Sequence, residues 1–167
     1  MRTWFALLAL ALVACRGDDA DTVCEPQGAS SGEGDVLGAP LGPFNRAALT
    51  ITPAGVAGSQ LALVLDEADG TCGEPGTAGR RLVIAFCGTP TAGDYDVLAA
   101  GSLRCGSAAS ATQVSALLED ADGGDVGTAT GTLTVTHAGG CVSGTYELSF
   151  AGAMLVGDFD AVVCAAP

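Results

Sequence analysis

No lysine occurs anywhere in this chain, and histidine occurs once, at His137. Together these two shortages remove much of enzyme chemistry. A nucleophile-and-base hydrolase has a single imidazole to draw on and no lysine to replace it, and a phosphate loop fails for want of Gly-Lys-Ser/Thr. His137 closes the alternating run Gly131-Thr132-Leu133-Thr134-Val135-Thr136-His137, just before Ala138-Gly139-Gly140. That setting describes a strand-end or turn histidine better than a general base. Aromatics are also scarce, with one Trp, at Trp4, and two Tyr. Carboxylate pairs for glycoside cleavage would therefore have little surface on which to stack a sugar. No Cys-x-x-Cys pair is present, so zinc lacks its usual ligand spacing. Six arginines face nineteen acids, for a formal charge of −13. Nucleic acid is excluded as a partner, because its affinity rests on Lys and Arg neutralising phosphates, and adsorption to anionic headgroups is opposed as well. The one basic pair, Arg80-Arg81, reads as a balance for nearby acids.

What is present begins at the N-terminus. Arg2 precedes an apolar run from Trp4 to Val13, which ends in Leu12-Val13-Ala14-Cys15. Ten residues are too few for a helix to span a bilayer, which takes roughly 20, so the run reads as the apolar core of an export signal ahead of small residues. The stretch resembles a bacterial lipoprotein signal. The resemblance implies that signal peptide 1–14 is removed, that the Cys15 thiol carries a diacylglyceryl group, and that the new amino group is acylated too. Several acyl chains hold a protein to a membrane firmly, where one holds it only marginally. Arg16 stands where an Asp retains enteric lipoproteins in the inner membrane, so the expected address is the outer membrane of a Gram-negative envelope. The closing segment from Cys141 to Cys164 resembles the C-terminal strands of uncharacterised lipoproteins of myxobacteria and related bacteria. That likeness brings no catalytic residue and no cofactor with it.

Removal of the signal leaves 153 residues with five Arg against nineteen acids, a formal charge of −14. That length suits one domain and can bury about 70% of its unfolded surface. Residues 15–34 are Gly, Ser, Asp and Glu with almost no large apolar side chain, the composition of a flexible tether, and residues 35–167 are expected to form the single domain. Its aromatics are Phe44, Phe86, Tyr95, Tyr146, Phe150 and Phe159. Setting Cys15 aside leaves six cysteines, an even set that in an oxidising compartment implies up to three disulfides. Cys24 is expected to pair with Cys164, because domain ends often lie close together. Cys87 and Cys105 flank one strand and are expected to meet, which leaves Cys72 for Cys141.

Short apolar runs separated by Gly, Pro, Asp and Thr predict an all-β domain, an antiparallel sandwich or flattened barrel of about eight strands. The expected strands are 46–52, 60–66, 81–87, 93–99, 112–119, 128–137, 142–150 and 154–163, with a helix over 108–121 as the competing reading of that segment. Gln60 to Gly70 (QLALVLDEADG) matches Gln113 to Gly123 (QVSALLEDADG), and from Gly76 to Tyr95 a looser match continues at an offset of 51 residues through Gly127 to Tyr146. Internal duplication and chance similarity between low-complexity segments both remain open. A shorter motif, Gly-x-aromatic-acid-aliphatic, recurs at Gly93, Gly144 and Gly157, where bending at the glycine is expected.

Two acidic turns remain, Asp66-Glu67-Ala68-Asp69-Gly70 and Glu119-Asp120-Ala121-Asp122-Gly123-Gly124-Asp125. Hard cations seek such oxygens, which makes Asp66, Asp69, Asp120, Asp122 and Asp125 weak Ca²⁺ candidates, although neither turn fits the twelve-residue calcium loop. Solvated hairpin turns are the plainer reading. The expected function is a membrane-anchored, non-catalytic structural or binding module of the envelope, meeting the membrane through its lipid and meeting another envelope protein. A carrier of a small apolar ligand inside a barrel is the alternative, and a weak calcium-binding, adhesion-like domain is the third.

Overall fold

The computed structural model describes residues 31–36, 38–51, 61–70, 72 and 78–164. Eleven strands and one short 3₁₀ helix are found among them: β1 (Ser31–Glu33), β2 (Asp35–Val36), β3 (Ala39–Pro40), β4 (Arg46–Ile51), β5 (Leu61–Asp66), β6 (Arg81–Phe86), β7 (Gly93–Ala99), the helix (Ala108–Thr112), β8 (Gln113–Glu119), β9 (Asp125–Ala138), β10 (Cys141–Phe150) and β11 (Ala153–Val163). The last eight strands correspond to the eight read from sequence. Where a helix competed, over 108–121, a single 3₁₀ turn capped by Ser107 gives way to β8. Val114, Ala116 and Leu118 alternate inward there, and burial of that face outweighs local helix propensity.

The architecture is a closed barrel. Neighbours run β4-β5-β6-β8-β7-β9-β10-β11, and β11 returns to β4. Most pairings are antiparallel as expected, but two are parallel, β11 with β4 and β7 with β8. The barrel is therefore mixed. β7 arises from the crossover: instead of pairing with β6, it inserts between β8 and the second half of β9. β9 accordingly serves two partners, meeting β8 up to Ala129 and β7 from Gly131 onward. Gly131 makes that switch at φ +145°, where a Cβ would run into the Glu147 carbonyl oxygen of β10. Gly144, at the register shift in β10, lies equally close to the Thr134 carbonyl oxygen of β9. The glycine of one recurring motif thus sits at an irregularity in its strand.

Period-two alternation explains the core. Leu61, Leu63 and Leu65 of β5, Leu82, Ile84 and Phe86 of β6, and Tyr146, Leu148 and Phe150 of β10 all pack in one cluster. In the recurring motif the aromatic and the aliphatic residue share a face two positions apart, so Tyr95 with Val97 and Phe159 with Ala161 point inward, while Asp96 and Asp160 are exposed. Val36, Leu41 and Phe44 join the same cluster from the segment that leads into β4. The interior is filled by these side chains.

The two ends of the barrel differ in chemistry. At one, Arg46 of β4 lies opposite Asp66 of β5, Asp66 opposite Arg81 of β6, and Arg81 opposite Glu119 of β8. This is a row of alternating charge across four neighbouring strands, and we call its end the acidic end, after the turns that flank it. At the other end lie Cys87, Cys141 and Cys164, where β6 and β11 finish and β10 starts; we call this the cysteine rim.

The tether expected over 15–34 ends early, because Ser31–Glu33 already pair with β11. The halves of the sequence match occupy like places only in part. β5 and β8 each end in an acid of the charged row, and Leu82 and Leu133, like Tyr95 and Tyr146, are buried equivalents. β8, β9 and β10 form a meander, whereas β5 and β6 are followed by the displaced β7. Gly131→Ala should lower stability by about 2 kcal/mol or more, since it adds a backbone clash to a left-handed conformation. Urea unfolding would check it, and an unchanged midpoint would exclude a close approach of β9 and β10 at this point.

Candidate functional site

The cysteine rim carries a half-open cleft of about 590 Å³, within the usual range of ligand sites. Three segments build it. The turn after β6 contributes Cys87, Gly88, Thr89 and Thr91, the start of β7 contributes Tyr95, and the 3₁₀ turn with its flanks contributes Gly106, Ser107, Ser110 and Gln113. The Cys87–Cys105 disulfide ties the first segment to the third, as expected from their positions around β7. Phe86 and Tyr95 form the apolar part of the lining, their rings edge to face at 5.5 Å between centroids. The Tyr95 hydroxyl donates to the Thr91 carbonyl oxygen at 2.9 Å and accepts from the Thr91 backbone N–H at 2.8 Å. Tyrosine thereby shapes the turn. Ser110 is likewise turned back on Ser107.

Among the described residues no acid, arginine or histidine lines the cleft, and its cysteine is bonded. The cleft offers hydroxyls, an amide and an aromatic edge. Such a surface can hydrogen-bond an uncharged polar group but supplies neither a general base nor an activated nucleophile. His137 is exposed on β9 opposite Ser143 of β10 and does not line the cleft. A Gly-x-Ser-x-Gly spelling does occur, from Gly28 to Gly32, but it runs into β1 and is followed by β2. Its central serine, Ser30, lies outside the described residues.

The other cysteines correct the expected pairing. Cys164 bonds Cys72, which excludes both Cys24–Cys164 and Cys72–Cys141. The reason lies in topology: β11 ends beside β4, with the Cys164 N–H donating to the Leu49 carbonyl oxygen at 2.9 Å. The chain leaves β5 at Asp66, at the acidic end, and Cys72, six residues on, is bonded to Cys164 at the rim. Cys141 is disulfide-bonded too. Cys15 and Cys24 lie outside the described residues.

The acidic turns are used structurally. Asp66 is buried, stands 3.8 Å from Arg46, and accepts the Ala68 N–H. Asp120 accepts the backbone N–H groups of Asp122 and Gly124 at 3.0 and 2.7 Å. Asp69, Asp122 and Asp125 are exposed. Among the described residues no three metal-ligating side chains are grouped to hold an ion.

Sequence reading missed Glu67 altogether, though it is the best-connected carboxylate at the acidic end. One oxygen accepts from the Gly42 N–H at 2.9 Å and from Arg80 Nη2 at 2.8 Å, and the other accepts the Arg80 N–H at 2.8 Å. Arg80 also donates to the Pro40 carbonyl oxygen. This knot fastens the segment before β4 to the loop before β6. Arg80-Arg81 divides its work, since Arg81 faces Glu119 at 3.5 Å.

Burial alone would raise the Glu67 pKa, but the hydrogen bonds from Arg80 and Gly42 hold it below the usual carboxylate range. Glu119 is shifted the other way: burial comes first, with Asp125 and Asp120 adding to it against the pull of Arg81. Comparison with protein-family models, with curated proteins and with solved structures gives no match.

The two shifts act oppositely on stability. The Glu67 contribution is present above the ordinary carboxylate range and is lost as pH falls through its lowered pKa; the Glu119 contribution is present below that range and is lost as pH rises through its raised pKa. Glu67→Gln should therefore cost about 1–2 kcal/mol near neutral pH and nothing once both forms are protonated. Glu119→Gln should be neutral or slightly stabilising near pH 7. Thermal unfolding from pH 2.5 to 7.5 checks both, and a Glu67→Gln deficit persisting at the acid limit would contradict the ionic origin of the knot.

Proposed function

We propose that the protein is a lipid-anchored module of the outer membrane of a Gram-negative envelope, one that binds or supports without catalysing. The observation that carries this reading is the sequence Leu12-Val13-Ala14-Cys15 after a short apolar run. Two further facts support it. The described cysteines Cys72, Cys87, Cys105, Cys141 and Cys164 are all oxidised, which suits an exported chain. The described lining of the cleft at the cysteine rim offers hydroxyls, an amide and an aromatic edge. It suits an uncharged polar ligand or an exposed loop of another envelope protein. Carriage of an apolar ligand within the barrel is the weaker reading, because core side chains occupy that space.

Cysteine arithmetic makes the proposal testable in one preparation. Only Cys15 and Cys24 remain as partners for the oxidised Cys141. If Cys15 carries a thioether-linked lipid, the partner has to be Cys24. Peptide mapping without reductant should join Cys141 to Cys24, and metabolic labelling with a fatty acid should tag the wild type and leave Cys15→Ser unlabelled. A Cys15–Cys141 disulfide, or label retained in the Cys15→Ser variant, would overturn the anchor.

A further inference from the structure

We infer that the cleft at the cysteine rim takes a stretch of uncharged polypeptide, a loop or tail of another protein, in preference to a sugar or an ion. The inference rests on the binding role proposed above and names the ligand. It follows from what the walls of the cleft offer, what its floor withholds and how the site is held.

The walls suit a main chain. Each peptide unit brings one N–H and one C=O, so a surface that grips it needs groups able both to donate and to accept. Thr89 and Ser107 are exposed and carry hydroxyls, and the half-buried Gln113 carries an amide; all three can do both. Ser107 Oγ already accepts the Ser110 N–H, which leaves its own proton to donate. Two glycines stand among these groups, Gly88 directly after Cys87 and Gly106 directly after Cys105. At both, the place a Cβ would take has no atom within 4 Å, so a second backbone can come close to theirs. Gly106 is held at φ +95°, a conformation that itself favours glycine, but Gly88 has no positive φ. Its missing side chain serves the cleft alone.

The floor withholds what a sugar needs. A pyranose lays its C–H groups on the open, electron-rich face of an aromatic ring. Phe86 and Tyr95 are turned edge to face on each other at 84°, and they are 2% and 6% exposed. Neither presents a face to a ligand. An ion fares no better, since no charged side chain stands in the described lining.

The site is also held ready. The Cys87–Cys105 bond joins two of its walls, and the Tyr95 hydroxyl fixes Thr91 in the first of them. Little ordering is then left to oppose binding. Because the described lining is neutral, affinity for a neutral peptide should be insensitive to salt, although the chain as a whole carries a formal charge of −13.

The test is a titration of the isotope-labelled full chain, followed by amide NMR, with three probes: the neutral peptide acetyl-Gly-Ser-Gly-Asn-Gly-amide, its acidic counterpart acetyl-Gly-Asp-Gly-Asp-Gly-amide, and the neutral sugar cellobiose. The neutral peptide should shift the amides of Gly88, Gly106 and Ser107 with a dissociation constant of about 1 mM or tighter, unchanged within about twofold between about 50 and 500 mM NaCl. The acidic peptide should bind at least about tenfold more weakly. Gly88→Leu, which places its side chain in open space, should weaken the neutral peptide at least about tenfold and leave the Leu133 and Leu148 amides of the barrel wall in place. Undiminished binding by that variant would overturn the placement. Shifts with cellobiose and none with the neutral peptide would overturn the peptide and leave the cleft standing as a site. No shift with any probe would overturn both, while the lipid anchor is judged separately by the fatty-acid label.

Discussion

Closure of the barrel at the β4–β11 seam is the constraint on which everything else depends. Only two residue pairs join these strands, Val162 with Ala48 and Val163 with Leu49. A parallel contact of that length contributes little by itself. It is held by what lies next to it: the Cys164 N–H on Leu49 and the Cys72–Cys164 bond, which spans 92 residues of sequence. A covalent loop of that size restricts the unfolded chain by an amount on the order of 4 kcal/mol in the chain-entropy account. Were the seam to open, β4 would become a sheet edge and β11 would keep only the short β1 beside it, at Val156 to Asp158.

The composition of the interior follows from the shortages in the sequence. With six aromatics in the domain, most of the filling falls to Leu, Val and Ala, and the aromatics are spread around the wall. Tyr146 is buried deeply enough that its hydroxyl is pushed to a raised pKa, with Asp158 adding to the effect. A barrel filled in this way keeps its functional chemistry outside, at its ends and on its walls. The ends differ in that chemistry, one acidic and knotted by Glu67 and Arg80, the other carrying a cleft whose described lining is uncharged.

All eight strands of the barrel were legible in the sequence because alternation and turn residues are local signals. The order in the sheet was not. Nothing in Gly93 to Ala99 announces that this strand leaves its neighbour β6 to lie parallel to β8, and with that crossover went the expectation of a wholly antiparallel sheet. The short strands β1 to β3 were missed for a different reason: Ser31 to Glu33 and Asp35-Val36 have the composition of a linker, and pairing with β11 and the docking of Val36 are tertiary effects. Cys87–Cys105 could be read from the strand between them. Cys72–Cys164 could not, since it joins the end of β11 at the rim to a segment that leaves β5 at the acidic end. Glu67 looked like one acid among several, because its partners Gly42 and Arg80 are 25 and 13 residues away.

The row Arg46, Asp66, Arg81, Glu119 has a bearing on how such a chain finds its own arrangement. Strands rich in Leu, Val and Ala have few features to tell one alignment from another, and β5 and β8 are both apolar runs of this kind that end in an acid. Each of them ends in a carboxylate, and β6 begins with a cation. Sliding β6 by two residues along either neighbour would keep its apolar face inward but take Arg81 away from both Asp66 and Glu119, abandoning two buried or half-buried carboxylates. The ionic row thus acts as an alignment mark. It makes the similar halves of the sequence useful as matching flanks for one strand, where otherwise they would compete for it.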